Sequence, residues 1–247
     1  MVILFSPSET KSTKSIYEKI DKESLFLPQL YDKRVKAMKI YQDFIDKASL
    51  DEKKRLFGVK NEKILQELKN IDIFNDQTQK AVLRYNGVGY EYLNYKSLDK
   101  KAQNFIDEHM IIFSNLFGAI LAKDKIPFYK LKQGEKIGDF VFENYYKKEF
   151  SPALDDYLED KLIIDLRAAF YDKFYKPKKE YITFKFLKKG KVVSHYAKAY
   201  RGLVAREIAK HSPNSEKELM DIEFKGLRIC EIKSIKNKKE YIFEIVE

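Results

Sequence analysis

"VVSHYAKAYRGLVAREIAK", residues 192–210, passes from strand-like to helix-like spacing within a few residues. Just before it, "EYITFKFLKKGKVV" (180–193) reads as a hairpin with Lys189-Gly190 at its turn. From Ser194 onward, 100° per residue brings Tyr196, Ala197, Tyr200, Leu203, Val204 and Ile208 onto one broad apolar face. The opposite face should be ordinary solvated surface. Instead it carries Lys198 and Arg201 beside Gly202, Ala205 and Ala209. Small residues admit a close backbone or ligand, and two cations among them suit an anion.

"LRICEIKSIKNKKEYIFEIV" (227–246) reads as a terminal hairpin turning near Asn237. "VILF" (2–5), "MIIF" (110–113) and "LIIDL" (162–166) read as short buried strands, the first followed by the polar loop "SPSETKSTK". Helical periodicity covers 30–48, resumes after a break at Ser49, and returns at "NEKILQELKNI" with Asn61 as N-cap. Asp76 is placed to cap a helix through "QTQKAVLRY", which "NGVG" stops. Another helix fits 98–108, and 139–160 reads as two helices interrupted near Ser151-Pro152. Strands lie both between helices and in paired runs, so the class is α+β. Without a repeat or a Pro/Gly/Ser-rich linker, one domain over 1–247 is the simplest organisation, with 30–85 as a helical lobe.

The 247 residues are enough for a sizeable core, and 44% hydrophobic content is that of a globular protein. No apolar run approaches the roughly 18–20 residues of a membrane span. "MVILFSPSETK" has neither the basic leader nor the apolar stretch of a signal peptide. These features point to a soluble, cytoplasmic protein, with a monomer favoured and no membrane partner. Cys230, the one cysteine, excludes a disulfide framework and any multi-cysteine metal site. A net charge of +10 favours a polyanionic partner, although 38 acidic residues leave the charge mixed. Arginines are few, at 34, 55, 84, 167, 201, 206 and 228, and each is a candidate for planar, bidentate contact.

Several segments could carry chemistry. "RLFGVKNEKILQELK" (55–69) outlines a helix-hairpin-helix, in which Gly58 permits a tight approach to a phosphate and Lys60 and Lys63 add charge. Lys60 stands where a second glycine is usual, and a left-handed glycine ending one helix fits the same residues. Asp72 and Asp76 read as turn or capping residues rather than catalysts. In "SPSETK", Ser6, Thr10 and Lys11 suit phosphate and Glu9 suits acid–base work, but a polar turn explains them equally and the P-loop glycines are missing. Ser114 follows a strand with no placeable base, so it reads as a turn residue. His109, His195 and His211 have no metal-ligand spacing, so neither metal nor cofactor is expected. Asp165 and Arg167, at a strand end, are either an internal ion pair or a pocket wall.

"VILFSPSETK", "AVLRYNGVGYEYL", "FSNLFGAILAKDKIPFYKLKQG", "IIDLRAAFY" and "VVSHYAKAYRGLVAREI" resemble, in order, the signatures of the YaaA (UPF0246-type) bacterial peroxide-stress-resistance family. The most specific is Ser-x-Tyr-Ala-Lys-x-x-Arg-Gly, here Ser194, Tyr196, Ala197, Lys198, Arg201 and Gly202. The resemblance implies a single compact α+β domain with a basic cleft and a helix-hairpin-helix-like element. It also implies double-stranded DNA, selected by shape, as partner. On this reading Gly58, Lys60, Asn61, Lys63, Lys198 and Arg201 hold DNA. Ser6, Glu9, Thr10, Lys11, Arg84, Asn86, Ser114, Lys130, Asp165, Arg167, Tyr171, Ser194 and Tyr196 are the candidates for the cleft. The alternative function is an enzyme acting on a nucleic-acid base or nucleotide in that cleft; an iron-sequestering protein is a weaker third. The chain departs from the family pattern at Glu9, where a lysine is usual, and at Lys132 and Phe170, where acidic residues are common.

Overall fold

A computed structural model describes residues 1–68 and 70–246; the side chains of Lys63, Glu67, Ser194 and His195 lie outside the described set. The first strand, β1 (Val2–Phe5), is buried at every position because it has a parallel neighbour on each side. These are β3 (Met110–Ser114) and β6 (Ile163–Asp165), themselves buried throughout. Short, unbroken apolar runs are what a parallel strand covered on both faces requires.

β7 (Tyr181–Lys188) pairs with β6, and β10 (Lys238–Ile245) pairs with β7, both in parallel. Antiparallel strands finish the edges: β4 (Gly118–Leu121) beside β3, and β9 (Leu227–Ile235) beside β10. The eight-stranded sheet runs β4-β3-β1-β6-β7-β10-β9, with β8 (Lys191–Val192) paired to β7. Both hairpins read from the sequence are present. A small second sheet joins β2 (Thr78–Lys80) to β5 (Lys125–Pro127).

The helices are α1 (Tyr31–Lys47), α2 (Leu50–Phe57), α3 (Glu62–Glu67), α4 (Ala81–Arg84) and α5 (Val88–Leu93), followed by α6 (Lys100–His109), α7 (Phe142–Leu158), α8 (Ser194–His211) and α9 (Glu216–Met220). Ser49 starts α2 with a reciprocal capping box to Glu52. The region 30–85 is not set apart. Arg34 of α1, fully buried, donates to Leu27 O, Phe117 O and Ala119 O, and the buried side chains of α1 join the single main core. No helix among the described residues is long and apolar enough to cross a membrane.

Three local expectations are corrected. Residues 142–158 form one helix through Pro152, because a buried stripe of Phe142, Tyr146, Phe150, Leu154 and Leu158 continues across it. Asp76 caps no helix: its carboxylate accepts from Asp72 N, and residues 78–80 form β2. The small-residue face of α8 is not open surface. Ala205 and Ala209 are fully buried there, while Tyr196 of the supposed core face is 54% exposed.

Candidate functional site

Following β1, the chain turns toward β3 on one side; following β6, it turns toward β7 on the other. Adjacent parallel strands whose exits diverge leave a crevice beyond their C-terminal ends, the usual ligand position in such sheets. A cavity of about 470 Å³ lies there. Its walls are the β1 exit (Phe5–Thr10), the start of α5 (Gly87–Tyr90), the β6 exit (Leu166, Ala168, Tyr171), Gln133, and Lys198 and Arg201 of α8.

Each wall is fixed by bonds that explain its sequence. Ser6 Oγ accepts from Ala168 N, binding the two strand exits together, and Ser6 O accepts from the Tyr90 hydroxyl. Ser8 Oγ accepts from Thr10 N, a local turn bond. Asn86 N donates to Thr10 O, which brings Gly87 against the loop. At φ +113, with a Cβ position 2.9 Å from Ser8 Oγ, residue 87 has to be glycine. Glu9 Oε1 accepts from Gln133 N and Glu9 O from Lys130 Nζ, closing the far rim. Tyr171 places its hydroxyl between Asn115 Oδ1 and Gln133 Oε1.

Half-buried Arg201 and exposed Lys198 line the cavity without the bonds that hold the buried arginines Arg34, Arg84 and Arg167. Among the described residues neither has a hydrogen-bond or ion-pair partner, and burial pulls the Arg201 guanidinium below its ordinary pKa. The carboxylate whose charge reaches Arg201, that of Asp165, is committed to Arg167. A desolvated guanidinium beside a second free cation is a site poised for an anion. The small residues next to it serve packing: a Cβ on Gly202 would sit 2.1 Å from Gly89 O, so α8 and α5 cross in backbone contact.

Lys11 lies behind the β1 exit loop. Its amine donates to Ser8 O at 3.0 Å and stands 4.3 Å from the centre of the Tyr129 ring. Desolvation first, and then Lys130, lower its pKa to about 7. An unfolded lysine keeps that proton to about 10.5, so between these values the unfolded chain binds more protons than the folded one. Its contribution to stability therefore rises with pH across that window. Thermal melts of Lys11→Met and the parent from pH 7 upward are expected to show a shallower rise in the variant; parallel curves would count against the lowered pKa.

Other candidates lie away from the cavity wall. Ser114 is fully buried, accepting from Leu116 N and Phe117 N, so it caps the β3–β4 turn. Arg84, also fully buried, donates to Ser12 O, Lys14 O and Ile126 O. Asp165 and Arg167 resolve as an internal bidentate pair, Nε–Oδ1 2.9 Å and Nη2–Oδ2 2.7 Å. Tyr196 is exposed, with Lys188 over its ring. Gly58, at φ +65, ends α2: its N–H donates to Arg55 O and Val59 N–H to Lys54 O, the paired bonds of a Schellman turn. Lys60 and Asn61 are exposed beyond it. The side chains of Lys63, Ser194 and His195 are outside the described residues. Sequence reading passed over Ser8, Gly87, Gly89, Tyr90 and Gln133; the Gly-x-Gly spacing at 87–89 was the one available signal.

A family model described as peroxide stress protein YaaA matches residues 1–233. The chain belongs to the YaaA family. An uncharacterised protein of Campylobacter jejuni is 49% identical over 247 residues, covering all of both chains. A UPF0246 protein of Corynebacterium efficiens is 34% identical over 217 residues, 85% of each chain, and one of Fusobacterium nucleatum is 27% identical over 251 residues, 98% of each. The departures from the YaaA pattern have local roles here. Lys132 pairs with Glu135 at 3.0 Å while its stem covers Gly58, and Phe170 packs edge-on against Tyr171. Among the described residues no group of three or more His, Cys, Asp or Glu side chains could hold a metal ion.

Proposed function

We propose that this YaaA-family chain serves the peroxide response by binding DNA, with Lys198 and Arg201 taking a backbone phosphate at the mouth of the β1/β6 cavity. The observation that carries this reading is the desolvated Arg201, without a hydrogen-bond or ion-pair partner among the described residues, three positions from the exposed Lys198 on the same cavity wall. Two such cations on adjacent helical positions repel, and a phosphate between them removes the repulsion and restores the guanidinium's bonds. The exposed turn at Lys60 and Asn61 is a second phosphate contact on the same reading. It packs on the segment that reaches the cavity, since Lys132 N donates to Leu56 O and Gln133 lines the wall. Backbone contacts make binding depend on shape and salt more than on base sequence.

The test is Arg201→Lys, which keeps the charge and removes the planar fork. Duplex, bent, gapped and branched DNA are titrated at several salt concentrations. Affinity is expected to fall roughly tenfold, the loss of one charge-assisted hydrogen bond, with the melting temperature nearly unchanged. Lowered stability with normal affinity per folded molecule would instead make Arg201 a structural clamp.

A second reading, an enzyme acting on a base or nucleotide, is favoured by one observation: the cavity has the size of small-molecule sites. Glu9 and Lys11 flank the loop that would present such a substrate. Base release or strand cleavage in the same incubations, with and without divalent metal, would establish it over simple binding.

A further inference from the structure

β9 ends the main sheet, and every residue from Arg228 to Ile235 is exposed. Ile229, Ile232 and Ile235 are 41, 40 and 49% exposed. The strand is nonetheless firmly held. β10 pairs with it from Leu227 to Ile235 and is itself paired with β7. The hairpin turn is tied down by Asn237 Nδ2, which donates to Pro177 O, Lys178 O and Lys179 O. A long, preformed edge with a free row of N–H and C=O groups is a template for another strand. The ladder shifts register at Cys230, but from Glu231 to Ile235 it is regular.

We propose that this edge joins a second copy of the chain, antiparallel, about a two-fold axis at Ile232. Two-fold pairing of a strand with itself must centre on one residue, because opposed side chains share a face. Centring on Glu231 opposes two carboxylates, and centring on Lys233 opposes two ammonium groups. Centring on Ser234 sets Lys233 against isoleucine. Only the Ile232 axis complements the regular segment, with Ile232 against its own copy and Glu231 against Lys233 on both sides. Glu231 and Lys233 already lie together on one face, 3.1 Å apart within the strand, so the exchange needs no change of side. Ile232 stands opposite the buried Tyr241 of β10, so the new isoleucine pair extends an existing apolar row. On this proposal the chain forms a dimer with one continuous sheet, where the sequence alone favours a monomer.

Sedimentation velocity of the full chain over a wide concentration range tests this. The parent chain is expected to show a monomer–dimer equilibrium. Glu231→Lys, and separately Lys233→Glu, place like charges across the axis and are expected to weaken the dimer roughly tenfold or more. The double swap Glu231→Lys with Lys233→Glu restores opposite charges and should recover the parent constant. Both positions are exposed, and a circular dichroism melt confirms that each variant folds; Ile232→Asp is a second disrupting variant at the axis. A parent chain that stays monomeric at every concentration overturns the proposal. So does a dimer indifferent to the single substitutions, or a double swap that fails to recover.

Discussion

Asp165→Ala is expected to cost the fold about 3–5 kcal/mol, the range for removing one partner of a buried ion pair. Arg167 has a side chain only 1% exposed, and it donates to both oxygens of Asp165. Its other bonds go to Tyr171 O and Tyr175 O, and its guanidinium lies over the Phe113 ring. With the carboxylate gone, the remaining acidic neighbour is Asp172, at 3.6 Å and half exposed, too far and too wet to replace two short bonds. Arg167→Met should also destabilise, since it strands Asp165 and two carbonyls. The double variant Asp165→Ala/Arg167→Met is then expected to cost less than the sum, because no buried charge is left behind. Urea unfolding of the three variants gives this cycle, and strictly additive losses would deny the coupling. DNA affinity should fall as well, since the pair anchors the segment that presents Leu166, Ala168 and Tyr171 to the cavity.

The contrast between Arg167 and Arg201 shows what the sequence could carry. Both are scarce arginines, Arg167 just after an apolar run and Arg201 inside a helix, and nothing local separates a clamp from a binding group. The distinction lies in whether a carboxylate or carbonyl from elsewhere arrives. Arg34 meets Phe117 O and Ala119 O, 83 and 85 positions away, and Arg84 meets Ser12 O, 72 positions away. No spacing rule reaches that far. The parallel strands were legible for the opposite reason: burial on both faces writes an uninterrupted apolar run into a few consecutive residues. The hairpins were legible from their turn residues, Lys189-Gly190 and Asn237. The continuous helix over 142–158 was misread because proline is a strong local signal, whereas the stripe that overrides it acts through tertiary packing. Lys198 and Arg201 stood out because charge on an otherwise small-residue face conflicts with its surroundings. Such conflicts tend to mark sites.

Gly202→Ala should lower stability by roughly 3 kcal/mol, the upper end for overpacking. The added Cβ would lie 2.1 Å from Gly89 O, 2.9 Å from Leu93 N and 3.0 Å from Gly89 C. All three are backbone atoms of α5, so no side chain can swing aside and the helices themselves must part. Gly89→Ala is the control. Its Cβ would meet Lys198 O at 3.4 Å and Phe5 Cζ at 3.5 Å, contacts that need only a small adjustment. Its melting temperature should therefore lie much nearer the parent's. The two also differ from Arg201→Lys in their effect on binding. Moving α8 off α5 carries Lys198 and Arg201 away from the β1 exit loop, so Gly202→Ala should weaken DNA binding even per folded molecule, while Arg201→Lys weakens binding at constant stability. Calorimetry and titration on the same preparations separate these effects. A Gly202→Ala protein with the parent's melting temperature would mean the two helices can part freely, and this crossing would then not be what sets the position of the cations.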